Sequence, residues 1–274
     1  MYSRVYLEIT NICNKNCSFC PGTTRKKQRI TPENFRALAS RLRPVTDMLY
    51  LHLMGEPLTH PQLGELISIA RELGFRVGIT TNATLLSRMG QMLLEAGLYK
   101  INLSLHSFED ADENAQRDYV QTCALFAREA AKKGTLVELR LWNSGSDDGR
   151  NALTLEVLRR VFPEPWETKS RSRRLTSGVF LAEEGKFDWP DLEAREGDSG
   201  VYCRGLKDHF GVLVDGTVVP CCLDREGTLA LGNLHEQPIQ DILNAPRARA
   251  MAQGFRNRNV PEELCRKCGY ARRF

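Results

Sequence analysis

The sequence has no long hydrophobic run and no strong excess of either charge. No apolar stretch approaches the ~18 residues of a membrane-spanning helix, and a charge follows Met1 too soon for the apolar core of a signal peptide. The 38 basic and 34 acidic residues leave a net charge of +4, which gives no strong nucleic-acid signal. We therefore expect a cytoplasmic protein that makes no use of a membrane.

The sequence has nine cysteines, and this odd number argues against a complete set of paired disulfides. In a reducing compartment, cysteines at this density are more typical of metal ligands or redox groups. Three of them lie within residues 13–20, Cys123 stands alone, and five follow from residue 203. The two groups predict two metal sites.

Short apolar strands alternate with amphipathic helices in the first part of the chain. Such alternation implies parallel strands joined by right-handed crossovers. We expect a helix to begin at Thr31, because a capping threonine is followed there by a proline at the first helical position. The sequence predicts an α/β fold, a partial (β/α)6 TIM-like barrel, with strands over residues 5–9, 48–53, 75–79, 101–105, 136–142 and 175–181.

The character of the chain changes near residue 200. Residues 210–221 predict a β-hairpin across Asp215-Gly216, and residues 239–254 predict a helix. We expect a barrel domain over residues 1–190 and a small β-hairpin/helix iron–sulfur domain over residues 200–274. Between them, the basic run at residues 169–174 is either a solvated loop or an anion-binding edge.

The first cysteine group follows the first predicted strand with the spacing Cys13-x3-Cys17-x2-Cys20. Three thiolates can bind three irons of an iron–sulfur cubane and leave the fourth iron without a protein ligand. Closed zinc sites need four ligands, and cubanes that only transfer electrons usually have four cysteines. The spacing therefore predicts a cluster with one coordination position open.

This motif, with Phe19 at the position before the last cysteine, resembles the signature of the radical S-adenosylmethionine (SAM) superfamily. Gly55, Glu56 and Pro57 resemble the family's Gly-Gly-Glu-Pro motif, with Met54 replacing its first glycine. The resemblance implies a 4Fe-4S cluster and SAM at the carboxyl ends of the strands. It further implies that reductive cleavage of SAM yields a 5′-deoxyadenosyl radical.

The resemblance also assigns roles to residues near the strand ends. Phe19 and Gly55 to Pro57 would contact the cofactor, as would Asn82 and Ser104. His106 is either a catalytic residue or a satisfied polar side chain. Arg140 would contact the methionine carboxylate or a substrate oxygen, or form an ion pair at the barrel rim. Glu8, in the first strand, would need a partner if it is buried.

The second cysteine group resembles the twitch domain, a shortened SPASM extension that holds an auxiliary 4Fe-4S cluster. The resemblance assigns its ligands as Cys203, Cys221, Cys265 and Cys268. Zinc is the alternative for four cysteines. Adjacent strand residues point to opposite faces, so either Cys221 or Cys222 is the ligand, and the spacing from Gly216 favours Cys221.

The resemblance implies hydrogen abstraction from a small-molecule substrate, such as a sugar, aminocyclitol or nucleoside-like compound, with oxidation or fragmentation. The compact layout is similar to that of 2-deoxy-scyllo-inosamine dehydrogenases. Alternatives are a lyase such as queuine lyase, a peptide (RiPP) or sulfatase maturase, and a non-enzymatic iron–sulfur or zinc module. The expected reductant is flavodoxin or ferredoxin.

Overall fold

The structure is a computed structural model that describes residues 1–109, 112–147, 149–195, 200 and 202–273. The strands are β1 (Arg4–Leu7), β2 (Met48–Tyr50), β3 (Arg76–Thr81), β4 (Lys100–Ser104), β5 (Leu136–Ser144), β6 (Glu167–Lys169), β7 (Ser172–Thr176), β8 (Val179–Gly185), β9 (His209–Val212), β10 (Thr217–Val219) and β11 (Gly232–Asn233). The α-helices are α1 (Pro32–Leu42), α2 (Leu63–Glu72), α3 (Leu86–Glu95), α4 (Glu113–Lys132), α5 (Arg150–Val161), α6 (Ile239–Asn244), α7 (Pro246–Arg256) and α8 (Glu263–Arg266). Short 3-10 helices span Pro57–Thr59, Leu105–Ser107 and Gly269–Arg273.

All of these strands belong to one sheet in the order β11-β10-β9-β1-β2-β3-β4-β5-β8-β7-β6. Every pairing from β9 to β8 is parallel, and the outer strands at both ends pair antiparallel. This arrangement confirms the predicted α/β class and partial barrel. The last predicted barrel strand is part of a hairpin, β7–β8, of which β8 pairs parallel with β5.

The C-terminal hairpin joins the same sheet. Strand β9 lies parallel to β1, from Arg4 opposite His209 to Leu7 opposite Val212. Residues 196–199, which lie between the two predicted domains, are outside the described residues. The β-hairpin across Asp215-Gly216 forms as the turn residues predict.

The strands present two different faces. On β5, the buried Val137, Leu139 and Leu141 alternate with the less buried Glu138 and Arg140. The apolar set joins the core between sheet and helices, and the polar set lines the barrel lumen. Because side chains alternate across a strand, this period of two separates the packing face from the ligand face.

Helix α1 shows why the helical predictions succeed. Thr31 accepts a hydrogen bond from the Asn34 amide, and Pro32 occupies the first turn, where its missing N–H is not needed. Its inner face buries Phe35, Leu38, Ala39 and Leu42. By contrast, the single helix expected over residues 239–254 is wrong. It divides into α6 and α7 at Ala245, which is extended because it precedes Pro246.

Within the part of the chain that the structure describes, we find no helix that is both long and apolar enough to cross a bilayer.

Candidate active site

One cavity of about 720 Å³ occupies the barrel lumen. It contains the three N-terminal cysteines, the segment from Gly55, and polar side chains from the lumen face of the strands. The cysteine loop follows β1 and covers the carboxyl ends of the strands, where ligands bind in α/β barrels. The structure therefore brings the predicted cofactor residues and the strand face to one space.

The cysteine loop is held by contacts from the segments that follow β3 and β4. Glu109 accepts hydrogen bonds from the Ser18 amide at 2.9 Å and the Ser18 hydroxyl at 2.6 Å. On the other side, Asn14 accepts a hydrogen bond from the Asn82 side-chain amide at 2.9 Å. These contacts place Cys13, Cys17 and Cys20 along the same cavity.

The thiols of Cys13, Cys17 and Cys20 are suitable ligands for an iron–sulfur cluster. Burial raises the pKa of Cys13 and, with the nearby Glu109 charge, raises that of Cys17 to about 11. Without a positive partner these groups stay protonated, whereas bound iron replaces the protons. Three thiols on one side of an open lumen therefore fit a cubane that has one iron left for another ligand.

Gly55 fits a close approach of two backbone segments. Its φ is +77°, and a Cβ there would lie 2.5 Å from the Thr10 carbonyl oxygen and 2.9 Å from the Asn11 backbone. The next amide, of Glu56, donates to the Ile12 carbonyl at 2.9 Å. The glycine thus lets the segment after β2 pack directly on the segment that leads into the cysteine loop.

Glu56 is almost completely buried at the edge of this cavity. It accepts hydrogen bonds from the Leu58 amide at 2.9 Å, the Thr81 hydroxyl at 2.6 Å and the Asn82 amide at 2.7 Å. Burial raises its pKa to about 7. Since a carboxylate has about four acceptor positions, one position is left for a cationic group in the cavity.

Asn82 and Ser104 both line the lumen. The Tyr119 hydroxyl donates to the Asn82 carbonyl at 2.8 Å and lies 3.4 Å from the Ser104 carbonyl, so α4 fixes both strand ends. The Asn82 side chain also lies 3.9 Å from the Cys13 sulfur. Asn82 therefore connects the predicted cluster loop to the end of β3.

His106 lies in the short 3-10 helix after β4 and stacks on the Trp142 ring at 6.4 Å. Its Nδ1 lies 3.1 Å from the Arg140 carbonyl oxygen and 3.4 Å from the Trp142 amide nitrogen. The shorter contact favours the tautomer with the hydrogen on Nδ1, which makes Nε2 the acceptor. Burial lowers its pKa to about 4, and His106 is therefore neutral at physiological pH.

Arg140 lines the lumen and also forms the ion pair that was one of its two predicted roles. Its Nε donates to Glu138 at 2.6 Å, and its guanidinium lies 4.5 Å from the Trp142 ring centre. Lys100 donates to the other oxygen of Glu138 at 2.7 Å. Burial opposes ionisation of Glu138, but the two cations lower its pKa to about 2.

Phe19 projects from the cysteine loop toward other aromatic side chains. Its ring centre lies 5.0 Å from that of Phe187, 6.2 Å from that of Trp189 and 6.1 Å from that of His106. These rings form an aromatic wall of the lumen, which suits the predicted contact with a planar base.

The basic run at residues 169–174 does not line this cavity. It forms the β6–β7 hairpin, where Arg173 pairs with Glu183 and Arg174 pairs with Glu167. The hairpin thus uses its arginines in partly exposed ion pairs.

A second, smaller cavity of about 50 Å³ is lined by Cys203, Cys221, Cys265 and Cys268. Burial and the charges of neighbouring thiolates raise the pKa of Cys221 and Cys265. The four thiols line one enclosed space, so they suit a single metal centre held by four cysteines.

Cys222 lies between the two cavities and lines both of them. The Tyr6 hydroxyl donates a hydrogen bond to its sulfur, and burial raises the Cys222 pKa to about 11. Its neighbour Cys221 is the one whose charge couples to the other three cysteines. This difference favours Cys221 as the ligand.

Several lumen residues were not predicted from the sequence. They are Arg4, Tyr6, Tyr50, His52, Lys100, Asn102, Glu138, Trp142, Phe187, Trp189 and Tyr270. The strand residues among them alternate with buried apolar positions, and that alternation is the signal that could have found them. Phe187, Trp189 and Tyr270 lie outside the strands, where no periodic signal exists.

Comparisons with known proteins match both parts of the chain. Residues 7–135 match a family model described as the radical SAM superfamily, and residues 203–269 match SPASM, described as an iron-sulfur cluster-binding domain. A probable GTP 3′,8-cyclase of Methanothermobacter thermautotrophicus is 31% identical over 262 residues, covering 80% of this chain and 84% of that protein. A GTP 3′,8-cyclase of Chlorobaculum tepidum is 35% identical over 112 residues, which cover 38% of this chain and only 33% of that protein.

Two similar solved structures carry bound AdoMet. BtrN in complex with AdoMet and 2-DOIA has a TM-score of 0.65 at 17% identity, with 98% of this chain and 93% of that chain covered. The enzyme anSMEcpe with bound AdoMet has a TM-score of 0.62 at 13% identity, with 91% and 79% covered. At these identities the structures show a shared fold.

Proposed function

Because the chain belongs to the radical SAM superfamily and carries a SPASM-type iron–sulfur domain, we propose that it oxidises a small hydroxylated substrate held in the barrel lumen. The two domains imply a SAM-binding 4Fe-4S cluster, SAM and an auxiliary iron–sulfur cluster. When bound, the first cluster and SAM supply a 5′-deoxyadenosyl radical that abstracts hydrogen. The protein supplies position, proton acceptors and exclusion of water.

The residues that would hold these groups follow from the two cavities. Cys13, Cys17 and Cys20 would hold the first cluster, and the fourth acceptor position of Glu56 would receive the methionine amino group. Cys203, Cys221, Cys265 and Cys268 would hold the second cluster. Phe19 and Asn82 contribute to the cofactor side of the lumen, which leaves the strand face for the substrate.

The observation that carries the proposal is the position of Cys222. Cys222 borders both the lumen and the four-cysteine cavity, as do Leu223 and Tyr270, so the auxiliary site lies beside the space available to the substrate. A cluster with four protein thiolates has no open iron for substrate binding, and electron acceptance suits it better. An alcohol carbon that loses a hydrogen atom, an electron and its hydroxyl proton becomes a carbonyl.

We assign His106 as the residue that accepts the hydroxyl proton of the substrate. Its Nδ1 lies closer to the Arg140 carbonyl oxygen than to the Trp142 amide, which favours Nε2 as the acceptor, and its low pKa keeps the ring neutral. Arg140, paired with Glu138 at the lumen wall, would orient the substrate oxygen beside it.

Reductive cleavage is tested by anaerobic reconstitution, chemical reduction and chromatography of 5′-deoxyadenosine. Wild-type protein should form it, and Cys17→Ala should form none. Cys123→Ala is a matched control, because Cys123 is buried in α4 and lines neither cavity. Equal product from wild type and Cys17→Ala would contradict the proposal.

A second candidate is cyclisation of a nucleotide, favoured by the 31% identity to a probable GTP 3′,8-cyclase over most of both chains. The reactions differ in redox balance, since oxidation removes two hydrogens and cyclisation conserves mass. Assays with GTP and with 2-deoxy-scyllo-inosamine, followed by mass spectrometry, separate them. The lyase and maturase alternatives stay predictions.

A further inference from the structure

Arg4 is a cation in the lumen without an acidic partner. It opens β1 and lines the cavity, and its Nε is buried without a hydrogen-bond partner. Across the described ranges, no carboxylate lies within ion-pair distance of it. Its guanidinium contacts the Tyr6 hydroxyl and lies near Tyr50 and Cys222. Burial raises the pKa of Tyr6 and of Cys222, which opposes ionisation of either group.

Three other cationic side chains around the lumen have a carboxylate partner, which Arg4 lacks among the described residues. Lys100 and Arg140 share Glu138, and Arg25, below the cysteine loop, pairs with Glu8. Arg4 is partly buried, and a cation that loses water without gaining a counter-charge is unfavourable. An unpaired cation in a ligand cavity therefore indicates an anionic ligand.

The side chains that line the whole cavity also carry an excess of positive charge. Five cationic side chains but only two carboxylates line it: Arg4, Lys15, Lys27, Lys100 and Arg140 against Glu56 and Glu138. The two lumen histidines do not add to the charge, because burial lowers the pKa of His52 to about 3 and of His106 to about 4. An anionic substrate would be attracted into this lumen.

The anion is not a group of SAM or of the cluster on the cysteine loop. Arg4 begins β1, whereas the cysteine loop follows its end at Leu7. A four-residue strand spans roughly 10 Å, so the Arg4 backbone lies at the opposite end of β1 from the cysteine loop. The substrate would therefore reach from the cluster end of the lumen to its floor.

Other residues that line the lumen also carry polar atoms without a partner. The Asn102 side-chain oxygen is buried without a donor, although the same amide donates to Thr80 at 2.9 Å. The indole N–H groups of Trp142 and Trp189 are buried without an acceptor. One acceptor and two donors of this kind suit a hydroxylated body.

We propose that Arg4, with Tyr6 and Tyr50 beside it, binds an oxyanion of the substrate, either a carboxylate or a phosphate, at the floor of the lumen. The inference rests on the proposed function for the reaction, and it names the substrate class as an acidic hydroxylated compound. A cationic aminocyclitol would be repelled there by the like charge of Arg4.

The test uses holoenzyme with both clusters reconstituted and SAM present. Calorimetric titration with inorganic phosphate and, separately, acetate at constant ionic strength measures each Kd and distinguishes the two oxyanions. We expect saturable binding of at least one probe, and Arg4→Gln should raise its Kd at least tenfold. Arg88→Gln removes an exposed arginine from α3 and should leave the Kd unchanged.

Arg4→Lys keeps the charge but loses the planar fork, and it guards against misfolding of Arg4→Gln. It should raise the Kd several-fold at an unchanged melting temperature. No binding of either probe to wild type, or equal binding by a folded Arg4→Gln, overturns the oxyanion site. Failure of wild type to form 5′-deoxyadenosine while it still binds the probe overturns the proposed function and leaves the oxyanion site standing.

Discussion

Glu8 and Arg25 form a bidentate ion pair, with N···O distances of 2.7 and 2.9 Å. The same carboxylate accepts the Met54 amide at 3.1 Å and the Val214 amide at 3.0 Å. Glu8 thus joins β1, the segment after the cysteine loop, the segment after β2 and the C-terminal hairpin. The partner that a buried Glu8 requires is Arg25.

Glu8→Gln should destabilise the protein by ~3–5 kcal/mol, because it leaves Arg25 largely buried without its counter-charge. Denaturant unfolding measures the loss. Glu72→Gln is the matched control, since the Arg36–Glu72 pair is about half exposed and should contribute only ~0–1 kcal/mol. Equal effects of the two substitutions would show that Glu8 has no special structural role.

Gly55→Ala should abolish SAM binding and lower the melting temperature. The added methyl would overlap the Thr10 and Asn11 backbone, and neither segment can move without displacing the cysteine loop. Gly134→Ala carries the same strain of positive φ, ~1–2 kcal/mol, but meets no atom within 4 Å. Equilibrium dialysis with SAM and thermal unfolding should therefore separate the two variants; matched losses would refute the proposed close approach.

Replacing each of the adjacent cysteines should assign the auxiliary ligand. Wild type with two cubanes should contain about eight irons per chain. Cys221→Ser should retain about four, and Cys222→Ser should retain about eight, because only the Cys221 charge couples to all the other auxiliary cysteines. Iron analysis after anaerobic reconstitution measures both. The reverse result would assign Cys222, and loss of one zinc would replace the cluster by an ion.

The lowered pKa of His106 predicts a pH effect on stability. The unfolded state binds a proton near pH 6.5 and the folded state only near pH 4, so the free energy of unfolding should fall as the pH drops through this window. The loss reaches ~3 kcal/mol at the acid end. His106→Gln should lack this component. Denaturant unfolding of both proteins at pH 7 and pH 4 provides the comparison, and parallel curves would contradict it.

The sequence predicted those features that depend on local chemistry. The cap at Thr31, the turn at Asp215-Gly216 and the parallel strands all follow from short patterns. Pro246 carried the signal for the break between α6 and α7, but the apolar periodicity on both sides hid it.

Which residues form the floor of the lumen depends on the register of the strands, and a motif search does not give that register. Arg4 and Tyr6 belong to the lumen because Val5 and Leu7 take the packing face of β1. The pairing of Arg25 with Glu8, or of Lys100 with Glu138, depends on which strands are neighbours. Those pairings follow from tertiary contacts.

The parallel pairing of β9 with β1 also sets an order of assembly. Glu8 receives the Val214 amide across 206 positions of sequence, so the support under the cysteine loop is complete only after the C-terminal hairpin has docked. During synthesis, the first three cysteines emerge long before that hairpin exists. We therefore expect stable insertion of the first cluster to require most of the chain. Truncation before residue 214 would leave the cysteines present but would remove the Val214 contact with Glu8.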